Sequence, residues 1–176
     1  MPTAISPAFI MPTAEVPVMT VDTIALDQGV IDLFNDPDTI KVLGTVDENG
    51  VPHVVVKQSA HIADDGNIHY LELIESSRSN ANMVRAIWFD GTVSFTAIAD
   101  SARSVQIKGK PIKAHITGAL FQEHYERLRQ RRPDTDLAAV WVIKPEIVQD
   151  QNPALRRAME AEKHPHFVHL DQLAKH

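Results

Sequence analysis

Two runs rich in β-branched residues, 40–46 and 51–58, flank the polar stretch Asp47, Glu48, Asn49 and Gly50, a pattern that predicts a β-hairpin with Gly50 supplying φ > 0. The second run sets Pro52, His53, Lys57 and Gln58 among valines, so one side suits a core and the other presents polar groups. After residues 60–63, a second turn at Asp64, Asp65, Gly66 and Asn67 leads into alternation over 68–73, which predicts a third strand in an antiparallel series. A small-polar segment at 75–82 precedes a short helix over 83–88, and Asp90 and Gly91 turn the chain into a fourth strand at 92–99. Residues 104–117 alternate over a long span broken at Gly109 and Pro111, the mark of a bulge or corner by which a sheet curls into a barrel. Leu120, Phe121, Tyr125 and Leu128 fall on one face of a helix over 119–132 that Pro133 ends, and 137–147 is a sixth strand, apolar up to Lys144. Upstream, residues 22–35 suit a short helix interrupted near Gly29; downstream, 152–163 suits an amphipathic helix with Pro153 in its first turn. The expected fold is mainly β with peripheral helices, a six-stranded antiparallel barrel.

Composition narrows the classes. Residues 1–19 carry four prolines and repeat MPTA, which predicts an extended arm ahead of one domain over 20–150, with a C-terminal helix and His-rich tail over 151–176. A net charge of −6 and pI near 5.8 argue against a nucleic-acid binder. The absence of cysteine removes disulfides, thiolate metal sites and thiol catalysis. No apolar run of about 18 residues is present to span a membrane, and the N-terminus lacks the charged start and continuous apolar core of a secretory signal, so a cytoplasmic protein is expected.

One segment carries recognisable chemistry on its own. Ser76, Ser77, Arg78 and Ser79 at the head of a predicted helix combine hydroxyls, a guanidinium and backbone N–H groups, the donor set that holds a phosphate. The same residues also describe a solvated helix start with Ser77 or Ser79 as N-cap. Nothing resembles a P-loop, a dinucleotide-binding glycine turn or a nucleophile elbow. His53, His164, His166, His169 and His176 invite a metal or haem reading, but no companion carboxylate pattern closes a site, so a solvated or interface tail is the expectation and no metal is assigned. Trp88, Phe89, Phe95 and Trp141 lie in predicted regular elements and are read as core.

In order along the chain, GTVDENGVPHVVVK (44–57), DDGNIHYL (64–71), SSRSNAN (76–82) and VQIKGKPI (105–112), followed by a helix and an aromatic strand, resemble the FMN-binding split-barrel family, the pyridoxamine 5'-phosphate oxidase-like proteins. The resemblance rests on the series rather than on any one piece. It implies a split barrel that forms a homodimer, with FMN held at the subunit interface by the second strand and by the segment after the third. His53, Val54, Val55, Val56 and Lys57 would then offer an apolar slot with backbone donors and acceptors to the flavin ring. Arg78, with Ser76, Ser77 and Ser79, would hold its phosphate. Lys57 either sets a positive charge near the N1–C2 edge or is a solvent-facing strand lysine, and Gln106 either reaches the flavin or points outward from an alternating strand. Asn82 and Tyr70 are further contacts or structural residues, and Trp141 has a second reading as a ring stacked near the flavin across a dimer interface.

The sequence departs from the true oxidase at its C-terminus, where KHPHFVH (163–169) replaces an Arg–His cluster that binds pyridoxal phosphate, so vitamin B6 oxidation is not expected. The expected activity is electron or hydride transfer through flavin N5 to a small-molecule acceptor, with NAD(P)H or another flavin-reducing system as donor and no catalytic side chain assigned. The alternatives are a non-enzymatic FMN carrier, a deazaflavin (F420) user, a haem-binding protein using the C-terminal histidines, and an interaction module without cofactor.

Overall fold

The computed structural model describes residues 26–101 and 103–165, so the Pro-rich arm at 1–19 and His166, His169 and His176 lie outside the described residues. The chain runs α1 (Gln28–Asn35), β1 (Ile40–Val46), β2 (Pro52–Val56), β3 (His61–Ile62), β4 (Ile68–Glu72), α2 (Arg78–Trp88), β5 (Val93–Ile98), β6 (Ser104–His115), α3 (Ala119–Arg131), β7 (Ala139–Asp150) and α4 (Pro153–Lys163). All seven strands form one antiparallel sheet in the order β2-β1-β5-β6-β7-β4-β3. The sheet curls into a half-barrel. The seventh strand, absent from the sequence reading, is the two-residue β3, too short for alternation to register.

The predicted hairpin between β1 and β2 is present, with Gly50 at φ 77°. The expected run of three successive paired strands is not. β4 pairs with β7 and β3 and leaves β2 as an edge, because alternation says which face a residue takes and nothing about which strand lies beside it. The corner in β6 falls where Gly109 and Pro111 put it: the register shifts between Lys108 and Gly109 and again between Pro111 and Lys113. Pro145 of β7, which has no N–H for the ladder, stands opposite Gly109.

Two helix expectations need correction. α1 is not interrupted at Gly29, since Asp27 caps it and Gly29 falls in the first turn. α2 starts at Arg78 rather than at 83, because Ser77 is a working N-cap.

The core lies on the concave side of the sheet. Leu43, Phe95, Ile107, Tyr70, Trp141 and Ile143 fill it from the strands, α1 adds Phe34 at 5.9 Å between ring centroids from Phe95, and α2 adds Met83. Trp141 Nε1 donates to Asn80 Oδ1 at 3.0 Å and so ties α2 to the sheet without leaving its own N–H orphaned. Phe95 and Trp141 are core as expected, but Trp88 and Phe89 are 78% and 71% exposed. They sit at the C-terminal end of α2, where the Phe89 N–H closes the helix on Arg85 O and the Arg85 guanidinium lies 4.8 Å from the Phe89 ring centroid.

Between β2 and β4 the sheet is open, and side chains bridge the gap. Lys57 Nζ meets Glu72 Oε2 at 2.6 Å, and Ser59 Oγ accepts from Leu71 N at 3.0 Å. No described helix is long and apolar enough to cross a membrane.

Candidate cofactor site

The start of α2 is suited to an anion. Ser77 Oγ accepts from Asn80 N at 3.0 Å, while the N–H groups of Arg78 and Ser79 in the first turn have no intrahelical acceptor. Together with the helix dipole they favour a negative charge at that end. Ser79 is buried, and its Oγ lies 3.4 Å from His53 Nε2, joining the helix start to β2. One turn on, the buried Asn82 donates from Nδ2 to Thr45 Oγ1 at 2.9 Å, which fixes α2 against β1.

Arg78 is 58% exposed and touches Asp47 Oδ2 only at 4.0 Å, a contact loose enough to leave its guanidinium free for another anion. Asp47 is committed to the hairpin turn. Its Oδ1 accepts the backbone N–H groups of Val51 and Asn49, each at 2.9 Å. The Val51 bond above all, with the charges of Arg78 and Arg85, holds its carboxyl below the ordinary carboxylate range.

β2 closes one end of the sheet, so its free edge offers unpaired backbone N–H and C=O groups. Its faces divide by alternation. Val54 and Val56 point outward and are 66% and 57% exposed, while His53, Val55 and Lys57 face inward. Val55 packs against the core.

The twelve residues singled out from the sequence therefore separate. His53, Ser77, Arg78, Ser79 and Asn82 gather at the start of α2, with Ser76 exposed just ahead of the cap. Lys57 and Tyr70 belong to a second group: Lys57 Nζ is bonded to Glu72 and lies 5.3 Å from the Tyr70 ring centroid. Tyr70 is fully buried with no partner for its hydroxyl, and burial, reinforced by the Glu72 charge, pushes its phenol above the ordinary range. Four residues of strand put Lys57 about 13 Å from His53. Gln106 sits on the outer face of β6 opposite Thr96, three strands and about 14 Å from β2.

Sequence reasoning missed Arg85, which follows Arg78 by two helical turns and so shares its face; that spacing was the available signal. With Val46, Asp47, Asn82 and Gly91 it lines a cavity of about 200 Å³ beside the helix. The histidines weighed from the sequence were others, His53 and those of the tail. Those that gather among the described residues are His61, His69 and His124. The first two lie four residues either side of Asp65 at the centre of a turn, a symmetry visible in the sequence; His124 on α3 gave no signal.

No family model matches the chain, and no curated protein does. Solved structures do. HupZ of Group A Streptococcus superposes with a TM-score of 0.61 at 19% identity, covering 73% of this chain and 96% of that one. An FMN-binding protein from Syntrophomonas wolfei gives 0.56 at 16% identity, covering 69% and 82%. A candidate pyridoxamine 5'-phosphate oxidase from Lactobacillus delbrueckii gives 0.56 at 23% identity, covering 74% and 98%. At these identities the likeness is one of fold: the chain has the FMN-binding split-barrel fold of the pyridoxamine 5'-phosphate oxidase-like proteins.

Proposed function

We propose that the protein binds FMN as a homodimer and passes electrons or hydride from a donor such as NAD(P)H to a small-molecule acceptor. The observation that carries this reading is the junction of β2 with α2: an anion-receiving helix end beside an unpaired strand edge, in a fold shared with a solved FMN-binding protein. The residues fit the group. The N–H groups of Arg78 and Ser79, the Arg78 guanidinium and the Ser76 hydroxyl suit a phosphate dianion, with Arg85 as a second cation nearby. The free edge of β2 suits the hydrogen-bonding edge of the flavin ring, and Val54 and Val56 suit its apolar face. Bound there, FMN supplies one- and two-electron transfer through N5. The chain's own part is to bind, orient and exclude water.

A second copy of the chain fits the outer face of the sheet. Ile40, Val54, Val56 and Ile98, on the adjacent strands β1, β2 and β5, are 48%, 66%, 57% and 39% exposed, an apolar surface that a two-fold partner would cover. Gln106 lies on that same face, so a site built from two chains gives it a role that one chain alone does not.

The test is an FMN titration of the purified protein followed by flavin absorbance, repeated on Arg78→Ala. Loss of a charge-assisted bond weakens binding by about tenfold or more. Failure of the unaltered protein to take up FMN overturns the reading, and a Soret band in the purified protein would favour haem. Turnover with NAD(P)H separates a reductase from a carrier.

A further inference from the structure

A second group of ligating side chains lies on the other edge of the sheet. The β3–β4 hairpin sets His61 directly opposite His69, so antiparallel pairing puts both rings on one face, and α3 lays His124 over them. Ring centroids are 5.7 Å apart for His61–His69 and for His61–His124, and 6.5 Å for His69–His124. One nitrogen from each ring lies within 4.8 Å of the other two. His69 and His124 are each only 6% exposed.

Packing alone does not account for three imidazoles here. His69 Nε2 is buried without a hydrogen-bond partner, its nearest charged neighbour, Asp65 Oδ2, standing 3.6 Å away. A buried nitrogen with only so long a contact to a carboxylate costs free energy that an apolar side chain at the same place would avoid. His61 is arranged differently. Its Nδ1 lies 3.1 Å from the Ser59 carbonyl, which can only accept, so Nδ1 carries the proton and Nε2 keeps a free lone pair. A ligating histidine whose other nitrogen donates to a carbonyl is the usual outer-shell arrangement at metal sites. Burial is also the main cause that pushes His69 and His124 below the ordinary imidazole range. The surrounding charges are Asp65, His115, and Glu123 paired with Arg127 at 2.6 Å.

We propose that His61, His69 and His124 form a binding site for a divalent transition metal of the zinc class, linking the β3–β4 hairpin to α3. Three imidazoles at about 2.0–2.1 Å from the ion leave a fourth tetrahedral position for water or the neighbouring Asp65. Nitrogens within 4.8 Å of one another must close to about 3.3 Å, the ligand separation on a tetrahedron of that radius, and α3, whose one buried residue is His124, supplies one of them.

The site is tested by zinc titration of untagged, chelator-stripped full-length protein against a competing chromophoric chelator. His164, His166, His169 and His176 are replaced by Gln in the reference protein, so that the tail cannot supply the ligands. The reference is expected to bind one zinc per chain and to melt at a higher temperature with zinc than without. His61→Gln, at a half-exposed position whose loss leaves the core intact, and His124→Gln are each expected to weaken binding by more than about tenfold and to abolish the thermal shift. Circular dichroism verifies that the variants fold. A reference protein that fails to hold one zinc, or a folded His61→Gln variant that binds as the reference does, overturns the proposal.

Discussion

Replacing Lys57 with Met removes the positive end of an ion pair that bridges the open side of the sheet, Nζ to Oε2 at 2.6 Å with side chains 13% and 3% exposed. β2 and β4 share no backbone ladder, so this contact and the bonds at Ser59 are what join them. A solvent-exposed pair is worth about 0–1 kcal/mol, and its loss would scarcely register. Here the loss strands the Glu72 carboxylate in the interior with only the Ile74 N–H, at 3.4 Å, to solvate it. Breaking a buried pair from one side costs about 3–5 kcal/mol. Met keeps most of the apolar stem packed near Tyr70, so the cost is electrostatic rather than steric. At about 2–4 °C per kcal/mol for a chain of this size, the melting temperature falls by roughly 6–20 °C. Removing both charges in Lys57→Met with Glu72→Leu recovers most of the loss, and urea denaturation of the four proteins gives the coupling energy. A cost below about 1 kcal/mol for Lys57→Met, with an unchanged denaturant slope, would refute the reasoning by showing that water already reaches the pair.

Three further outcomes are expected. At Gly109 a Cβ would run into the Lys144 carbonyl where the register shifts opposite Pro145, so Gly109→Ala loses about 1–3 kcal/mol or more in chemical denaturation. Asp47 has a native pKa below its unfolded value of 3.8, so it stabilises the fold above that value and the contribution is lost as pH falls through the native one. Melting temperature against pH should therefore drop in strong acid, and the drop should be shallower in Asp47→Asn. Asn82→Ala removes the bond to Thr45 and is expected to lower stability by about 1–3 kcal/mol and FMN affinity with it, whereas Arg78→Ala lowers affinity while leaving the melt within about 0.5 kcal/mol. Calorimetry of both variants separates the positioning residue from the binding one.

Local signals in the sequence were reliable where one residue type decides the backbone. Gly50 and Gly66 both take φ 77° at turns read from their neighbours, and Gly109 with Pro111 marked the bulges of β6. What alternation cannot carry is partnership between distant strands, which is why β4 was set beside its neighbours in sequence when it pairs with β7. The proposed anion site at the start of α2 rests on a local signal, since hydroxyls, Arg78 and a helix head stand together in sequence. The place of Lys57 was not, since its partner Glu72 is fifteen residues away across the split and nothing local distinguishes a strand lysine in water from one in a buried pair. α3 misled for a related reason: its apolar positions Leu120, Phe121, Tyr125 and Leu128 are only half-buried, and the residue it buries is His124.

Polar burial in this molecule is not spread evenly. Among the described residues the buried polar or charged ones are Thr39, Lys41, Thr45, His69, Glu72, Ser79, Asn82 and His124. All of them lie on or beside β1, β4, α2 and α3, the elements that flank the two ends of the sheet. The middle strands β5, β6 and β7 bury apolar side chains such as Phe95, Ile107, Trp141 and Ile143. A central strand has its backbone satisfied on both sides and gains most from packing apolar groups, so a polar side chain there would bring only a desolvation cost. β1 and β4 lie next to the sheet's edges, where side chains reach across the split, so a buried polar group there finds a partner, as Thr45 does in Asn82 and Glu72 in Lys57. Changes to the buried apolar side chains of β5 and β6, such as Phe95 and Ile107, should therefore act through stability alone. Changes at the split alter stability and binding together, because the bonds from Asn80 to Trp141, Asn82 to Thr45 and Ser79 to His53 both anchor α2 and aim its free N–H groups.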